Sequence, residues 1–234
     1  MEEPTFPMRI NKYLAWKGVA TRRDADKLIS QKKILINGRF AVLGDKVDEG
    51  DEVEVSSRQK PKSYVYFAYN KPKGIITHSP QKGEKDIKSV VPMKDVFPIG
   101  RLDKNSSGLL ILTNDGRITD RLLNPEYVHD KEYIVKTVNN LRPSFKEYME
   151  KGVDIEGYIT KKCKVTVTGD DTFKITLTEG KKHQIRRMCS AMHNEVIDLK
   201  RTRVMNISLG TLKPGEYKKI EGPQLEQFLA SLGL

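Results

Sequence analysis

Apolar residues near the beginning of the chain recur at helical spacing and predict a small unit of two helices followed by a hairpin. The helical pattern covers positions 10–29, where Thr21 is placed as the N-cap of the second helix, with Asp24 three residues further on. Asn37-Gly38 then separates two short apolar runs, which is a strong local signal for a hairpin with a two-residue turn. We therefore expect a compact unit over residues 9–55.

The rest of the chain alternates apolar and polar residues, a pattern that predicts half-buried antiparallel strands. Strands are expected at 64–69, 109–113, 133–135, 165–167 and 173–177, and helices at 185–192 and 225–232. The polar, proline-containing segment 56–63 is typical of a linker. The pattern predicts an α+β fold in two domains, residues 1–60 with the linker and residues 61–234.

The charge balance of the chain indicates an acidic polymer as its partner. The 234 residues carry a formal net charge of +11. Residues 9–40 contain nine basic and two acidic residues, and most of the charge lies off the apolar stripe. A solvated helix surface is the alternative, but such surfaces usually mix the two signs. We expect this segment to present a basic face to nucleic acid phosphates.

Several protein classes are excluded by composition. Two cysteines, Cys163 and Cys189, do not make a disulfide framework, so a reduced, cytoplasmic location is expected. The beginning of the chain is acidic and contains proline, unlike a signal peptide. No apolar stretch approaches the roughly 20 residues of a membrane span, so no membrane partner is expected.

The polar loop at 100–108 is the segment best suited to carry chemistry. A short apolar run leads into it and a buried strand leaves it, which would hold the carboxylate of Asp103 on a rigid support. Its spacing also imitates the first half of a calcium loop. Asn114 stands where a bidentate glutamate is needed, and a strand rather than a helix follows, so calcium is rejected.

A metal cluster of His183, Cys189 and His193 is the other ligand arrangement that the sequence allows. Cys189 falls on the apolar face of the predicted helix, and no fourth ligand is evident. A core cysteine is therefore favoured, and no metal is expected.

Four motifs of the chain resemble those of the pseudouridine synthases and occur in the same order as in that family. The segment from Gly100 to Leu110 contains every element of the family signature Gly-Arg-Leu-Asp-x-x-Ser/Thr-x-Gly-Leu-Leu. The other three motifs are Asn70-Lys71-Pro72-x-Gly74, Lys131-Glu132-Tyr133 and the run from Gly180 to Met188. Together with the first unit, which resembles an S4 RNA-binding domain, they are similar to the RsuA-type subfamily over about residues 8–230.

Three further segments resemble one branch of this subfamily, the large-subunit (23S) ribosomal RNA pseudouridine synthase F branch. They are His129 to Tyr133, Thr160 to Val165 and Arg201 to Asn206. The resemblance implies an S4-like domain followed by a catalytic domain with a mixed, mostly antiparallel sheet flanked by helices. It also implies a monomer that modifies structured RNA, 23S ribosomal RNA first and transfer RNA as a further possibility.

The resemblance further implies the roles of individual residues. Asp103 is the catalytic carboxylate, Arg186 pairs with it, and Tyr133 stacks on the target base and assists proton movement. Uridine is converted to pseudouridine without oxidation or group addition, so no cofactor is expected. Arg187 lies opposite the apolar stripe of its helix, where phosphate or solvent suits it. The expected RNA-binding residues are Arg101, which holds the base out of its helix, and Lys71, Arg187, Arg9, Lys12, Arg22, Arg23, Lys32 and Lys33.

Three alternatives to this function are left open by the sequence. One is a non-catalytic RNA-binding or ribosome-assembly factor on the same fold, against which the acid Asp103 beside RNA phosphates argues. The second is a glycosylase that releases the base and would also use a carboxylate. The third is a pseudouridine synthase that acts on small-subunit ribosomal RNA or transfer RNA.

Overall fold

A computed structural model describes residues 5–55, 63–124 and 126–234. The chain divides into two compact units. The first is formed by the described part of Met1–Tyr64 together with Asp115–Asp120, and the second by Val65–Asn114 and Arg121–Leu234. The predicted boundary after residue 60, and all but the last residue of the predicted linker, lie outside the described residues. The sequence did not indicate that 115–120 belongs with the first unit.

In residues 5–55, the first unit contains two helices and five short strands, as its apolar pattern predicts in outline. Thr21 caps the second helix, and its Oγ1 accepts a hydrogen bond from the Asp24 backbone N–H at 3.1 Å. Asn37 and Gly38 both have positive φ, the conformation of a type I′ hairpin turn. The elements are β1 (Met8–Arg9), α1 (Ile10–Trp16), α2 (Arg22–Ser30), β2 (Ile34–Ile36), β3 (Arg39–Phe40), β4 (Lys46–Val47) and β5 (Val53–Val55).

The second unit is built on a nine-stranded sheet with the order β10-β11-β9-β12-β8-β6-β14, to which β7 and β13 add at β8 and β12. Its strands are β6 (Tyr66–Lys71), β7 (Phe97–Ile99), β8 (Ser107–Thr113), β9 (Lys131–Thr137), β10 (Lys164–Gly169), β11 (Thr172–Leu177), β12 (Val196–Val204), β13 (Ile207–Ser208) and β14 (Tyr217–Lys219). Among the described strands, β12 and β8 form the one parallel pair. The fold is therefore α+β with a mixed, mostly antiparallel sheet, as predicted.

Five helices accompany this sheet, and two of them cover the part formed by β9 to β12. They are α3 (Ile87–Val90), α4 (Arg117–Leu123), α5 (Phe145–Lys151), α6 (Gln184–Ala191) and α7 (Gly222–Ser231). Helix α4 begins in the segment that belongs to the first unit and ends in the second. No helix in the described parts of the chain is both long and apolar enough to cross a membrane.

The core under α5 and α6 fixes the direction in which α6 points its side chains. Ile185, Met188 and Cys189 are buried in one cluster with strand residues such as Val135 and Phe173. Burial raises the pKa of the Cys189 thiol to about 12, so it stays neutral near pH 7. Cys189 is a core residue, as expected, and its neighbours Arg186 and Arg187 leave the helix on other sides.

Candidate active site

The predicted catalytic loop connects the antiparallel strands β7 and β8. Leu102, the residue before Asp103, donates its backbone N–H to Thr77 Oγ1 at 3.1 Å, and the Thr77 hydroxyl donates to the Leu102 carbonyl at 2.7 Å. On the other side, the Lys104 carbonyl accepts from the Gly74 N–H at 2.7 Å. Asp103 is therefore held between two anchored neighbours, which gives its side chain a fixed starting point.

The carboxylate of Asp103 lies close to His183, a residue that the sequence suggested only as a metal ligand. Oδ1 of Asp103 is 3.4 Å from Nε2 of His183, an ion pair whenever the imidazole is protonated. Both side chains are partly open to solvent, at 39% and 48% exposure. His183 has a left-handed backbone, with φ of 52°, immediately before α6. Its backbone conformation determines where the imidazole points, and no local sequence signal predicts that conformation.

A buried carboxylate fixes the turn in front of α6. Glu179 accepts hydrogen bonds from the Tyr158 hydroxyl at 2.6 Å, the Lys161 N–H at 2.9 Å and Nε2 of Gln184 at 2.7 Å. Gln184 in turn accepts from the Lys181 N–H at 2.9 Å. Three partners satisfy a group that would otherwise be costly to bury. The turn that carries His183 is thus a rigid part of the site.

Arg186 does not form the ion pair with Asp103 that we expected. Its guanidinium donates to the Val196 carbonyl at 3.0 Å and, more weakly, to the Asn105 carbonyl and Ser106 Oγ, both at 3.4 Å. Among the described residues, the ion-pair partner of Asp103 is His183. The helix phase correctly turned Arg186 toward the loop, but the guanidinium reaches the loop two to three residues beyond the carboxylate.

Arg187 was expected to face phosphate or solvent, and the structure shows it partly exposed with two protein partners. It donates to the Ile155 carbonyl at 2.6 Å and pairs with Glu156 at 2.9 Å. The Glu156 side chain is 80% exposed. These partners occupy Nη2 of Arg187, while its side chain keeps 29% exposure, so its contact with RNA stays a prediction.

Lys71 is also placed differently from the prediction, because it is fully buried and cannot meet RNA at the surface. Its ammonium donates to the carbonyls of Pro72 at 2.9 Å and Ile75 at 2.7 Å, inside the turn that anchors the Asp103 loop. Burial lowers the pKa of Lys71 to about 8, while the charge of Asp103 acts in the opposite direction. Lys71 is therefore an internal cation beside the site.

We expect the free energy of unfolding of the wild type to rise with pH because of Lys71, and we expect Lys71→Met to remove this rise. The folded-state pKa of Lys71 lies below its ordinary value of 10.5, so between these values the unfolded chain binds more protons and the folded state gains stability as pH rises. The wild type should gain about 2 kcal/mol relative to Lys71→Met between about pH 7.5 and about pH 9.5. Urea unfolding at both pH values measures this difference. Lys73→Met, at a half-exposed lysine, is the control. A constant difference between wild type and Lys71→Met would contradict the buried position.

Tyr133 lies on β9 and packs, partly buried, against the core cluster under α6. Its Cα partner on β12 is Arg201, whose side chain is buried and donates from Nε to the Leu109 carbonyl at 2.7 Å. Lys131 is close by, and its pKa is lowered. Burial is the larger cause, and the positive charge of Arg201 is the second. Arg201 was not expected in the interior, since its partner Leu109 is distant in sequence.

The remaining predicted RNA-binding residues are accessible on their units. Arg101 is exposed on the loop, next to Leu102. In the first unit, Lys33 is partly exposed and the others are exposed: Arg9, Lys12, Arg22, Arg23 and Lys32. Their contact with RNA stays a prediction.

This arrangement presents one anchored, accessible carboxylate beside a buried ammonium and an imidazole. Such a carboxylate can attack an electrophilic carbon or remove a proton. The cysteines do not compete as nucleophiles, because burial raises the pKa of Cys163 to about 11 and that of Cys189 to about 12. Asp103 is therefore the candidate nucleophile or base of this site.

Comparison with known proteins agrees with both units. The RNA pseudouridylate synthase family model matches residues 65–191, and the S4 domain model matches residues 8–53. The dual-specificity RNA pseudouridine synthase RluF of Escherichia coli (strain K12) is 40% identical over 95% of this chain and 78% of the relative. The ribosomal large subunit pseudouridine synthase B of Bacillus subtilis (strain 168) is 35% identical over 95% of this chain and 96% of the relative.

A solved structure leads to the same family. A crystal structure of a pseudouridylate synthase superimposes with a TM-score of 0.70 and 26% identity, and covers 96% of this chain and 99% of that chain. The family match spans more than half of the chain, and it includes the anchored Asp103 loop and the turn before α6. The chain therefore belongs to the RNA pseudouridylate synthase family, as an enzyme with an S4 domain ahead of its catalytic domain.

Proposed function

We propose that this enzyme converts specific uridines of large-subunit (23S) ribosomal RNA to pseudouridine, with Asp103 as its catalytic carboxylate. The observation that carries the proposal is the complete family signature on a loop whose backbone is anchored on both sides of Asp103. The relative named for the ribosomal large subunit supports the ribosomal target. The relative named for dual specificity supports a second substrate class, for which we propose transfer RNA. We further propose that it works as a monomer in the cytoplasm.

The reaction moves no atoms in or out of the uridine. The bond between N1 of the base and C1′ of the ribose breaks, the base turns and C5 joins C1′. The proton on C5 leaves and N1 takes up a proton, so the composition of the nucleoside is unchanged. Asp103 either attacks as a nucleophile or removes a proton from the sugar. In this proposal Tyr133 stacks on the base and assists at C5, and Arg101 keeps the base outside its helix. Lys71 interacts electrostatically with Asp103, and Nε2 of His183 lies 3.4 Å from the Asp103 carboxylate.

Arg186 acts in this proposal as a positioning residue that joins α6, the first residue of β12 and the Asp103 loop. We expect Arg186→Lys to lower the turnover number about 10- to 100-fold, because a lysine cannot span three acceptors at once. The affinity for RNA should stay within about twofold, since the guanidinium bonds to protein and not to the surface. Single-turnover kinetics and RNA binding measure the two effects separately. Arg142→Lys, an exposed arginine outside the site, is the control. Equal losses in affinity and turnover would instead place Arg186 on the RNA.

Mapping of pseudouridine in total RNA tests the proposed substrate. Cells that lack the protein should lose pseudouridine at defined positions of 23S ribosomal RNA, and the wild-type gene should restore them while Asp103→Asn should not. Loss confined to small-subunit or transfer RNA would replace the proposed target. Release of free uracil by the purified enzyme would favour a glycosylase. Restoration by Asp103→Asn would favour a non-catalytic ribosome-assembly factor.

A further inference from the structure

Helix α1 carries two aromatic rings, that of Tyr13, which is partly buried against the core of the first unit, and that of Trp16, which is exposed. The core of the first unit uses Ile10 and Leu14 from this helix. Trp16 is 43% exposed, and its ring centroid is 5.9 Å from that of Tyr13, at an interplanar angle of 52°. Trp16 is the single tryptophan of the chain. An indole held at the surface by a second ring offers a flat apolar face to a ligand.

The ammonium group of Lys17 lies near both rings. Lys17 Nζ lies 4.7 Å from the ring centroid of Trp16 and 5.8 Å from that of Tyr13. Lys12 precedes Trp16 by four residues, so both leave α1 on the same side. Residues 8–20 contain no acidic residue at all. The rings are therefore set in a locally cationic surface, which suits a polyanion that also carries flat groups.

Single exposed apolar side chains are common and need no explanation. Tyr148 on α5 illustrates such a case, since it is 57% exposed between Glu147 and Glu150. Trp16 differs because a second ring and two lysines accompany it. A base flanked by phosphates is a ligand that uses both the aromatic rings and the lysines. Aromatic side chains in basic surroundings are the usual platform for unpaired nucleotides.

We infer that Tyr13 and Trp16, with Lys12 and Lys17, form a stacking platform for an unpaired base of the RNA substrate. The base would lie on the indole, and the phosphates on either side of it would contact the lysines. The inference rests on the proposed RNA substrate. Beyond that proposal, it states that the first unit recognises a single-stranded element of the RNA as well as the charge of the RNA backbone. A purely double-stranded RNA would leave this platform unused.

The lone tryptophan makes the platform directly measurable. The probes are a 12-nucleotide oligoadenylate RNA and a strand of equal length in which every base is missing, so that both carry the same phosphates. The adenylate strand should quench the intrinsic tryptophan fluorescence at saturation, and the abasic strand should leave it unchanged. The same titration with Asp103→Asn protein should give the same result, because the platform does not depend on catalysis. Quenching of equal size by both strands, or by neither, would overturn the inference.

Substitutions separate stacking from charge. Trp16→Ala should weaken binding of the adenylate strand about tenfold and leave binding of the abasic strand unchanged. Trp16→Phe should retain most of the affinity, which guards against a folding defect in the alanine variant. Lys12→Ala should weaken binding of both strands and make the salt dependence shallower by about 0.7 in log–log slope. Tyr148→Ala, an exposed aromatic between acids, should change neither affinity.

Two outcomes would reject the platform even if RNA binding itself is intact. An equal effect of Trp16→Ala on both strands would mean that the indole supports the fold or the charge and not a base. Unchanged adenylate binding by Trp16→Ala would mean that bases stack elsewhere. Failure of pseudouridine formation, by contrast, would be seen in the mapping experiment and would leave these affinities as they are, so the two proposals fail separately.

Discussion

Asp103→Asn is expected to abolish pseudouridine formation while the protein stays folded and binds RNA. Asparagine has nearly the same size, and the contacts that fix the loop involve the backbone around residue 103 and not its side chain. The substitution removes the one accessible carboxylate of the anchored loop. The loss should exceed the roughly 10²- to 10⁴-fold effect of an accessory acid–base group, because both proposed mechanisms require this carboxylate. Single-turnover assays on 23S ribosomal RNA measure it.

A second carboxylate serves as the matched control. Asp170 lies exposed in the turn between β10 and β11, where it contributes only its backbone carbonyl to a hydrogen bond. Asp170→Asn removes the same charge from the protein and should leave turnover within about twofold of the wild type. Near-normal turnover by Asp103→Asn, with the melting temperature unchanged, would remove Asp103 from the mechanism and leave the site without a reacting group.

Local patterns in the sequence predicted the elements whose causes are local. The hairpin at Asn37-Gly38 formed because both residues tolerate positive φ, and Thr21 capped α2 because its hydroxyl reaches the N–H three residues on. The apolar stripe of α6 faces the core as its periodicity requires. In each case, the residues that make the structure lie within a few positions of one another.

Strand β12 was missed because its pattern does not alternate. It runs through nine residues with two register shifts against β9, and each shift reverses which side the following residues face. It also buries Arg201, which a sequence pattern assigns to the surface. The strand is identified by its neighbours β8 and β9, and these contacts are not visible in the local sequence.

The same reason explains which parts of the site could be predicted. The loop that carries Asp103 follows from one contiguous motif, so its position was predicted correctly. The residues that contact the loop do not follow from that motif. Lys71 is buried because two carbonyls near it turn inward, and Arg186 ends at a carbonyl and a hydroxyl two to three residues past the carboxylate. Helical phase gives the direction of a side chain but not the atom at its end.

A contact between strands that are distant in sequence explains the glycine at position 108 of the motif. Gly108 pairs across the sheet with Arg201 at the parallel junction of β8 and β12, and its φ is +105°. A Cβ at this position would overlap the carbonyl group of Arg201 and lie 2.6 Å from the Arg201 nitrogen. Both neighbours are backbone atoms of a central strand, so they cannot move aside as a flexible side chain could.

Gly108→Ala should therefore destabilise the second unit by about 3 kcal/mol or more, since overpacking and the strained backbone add. Turnover should fall as well, because the Asp103 loop enters β8 one residue earlier. Gly83→Ala is the matched control, with a φ of +88° and open space around its Cβ, and should cost only about 1 kcal/mol. Urea unfolding of the two variants measures both costs. Equal losses would attribute the effect at Gly108 to backbone strain alone, whereas a much larger loss at Gly108 requires the close approach of β8 and β12 that supports the catalytic loop.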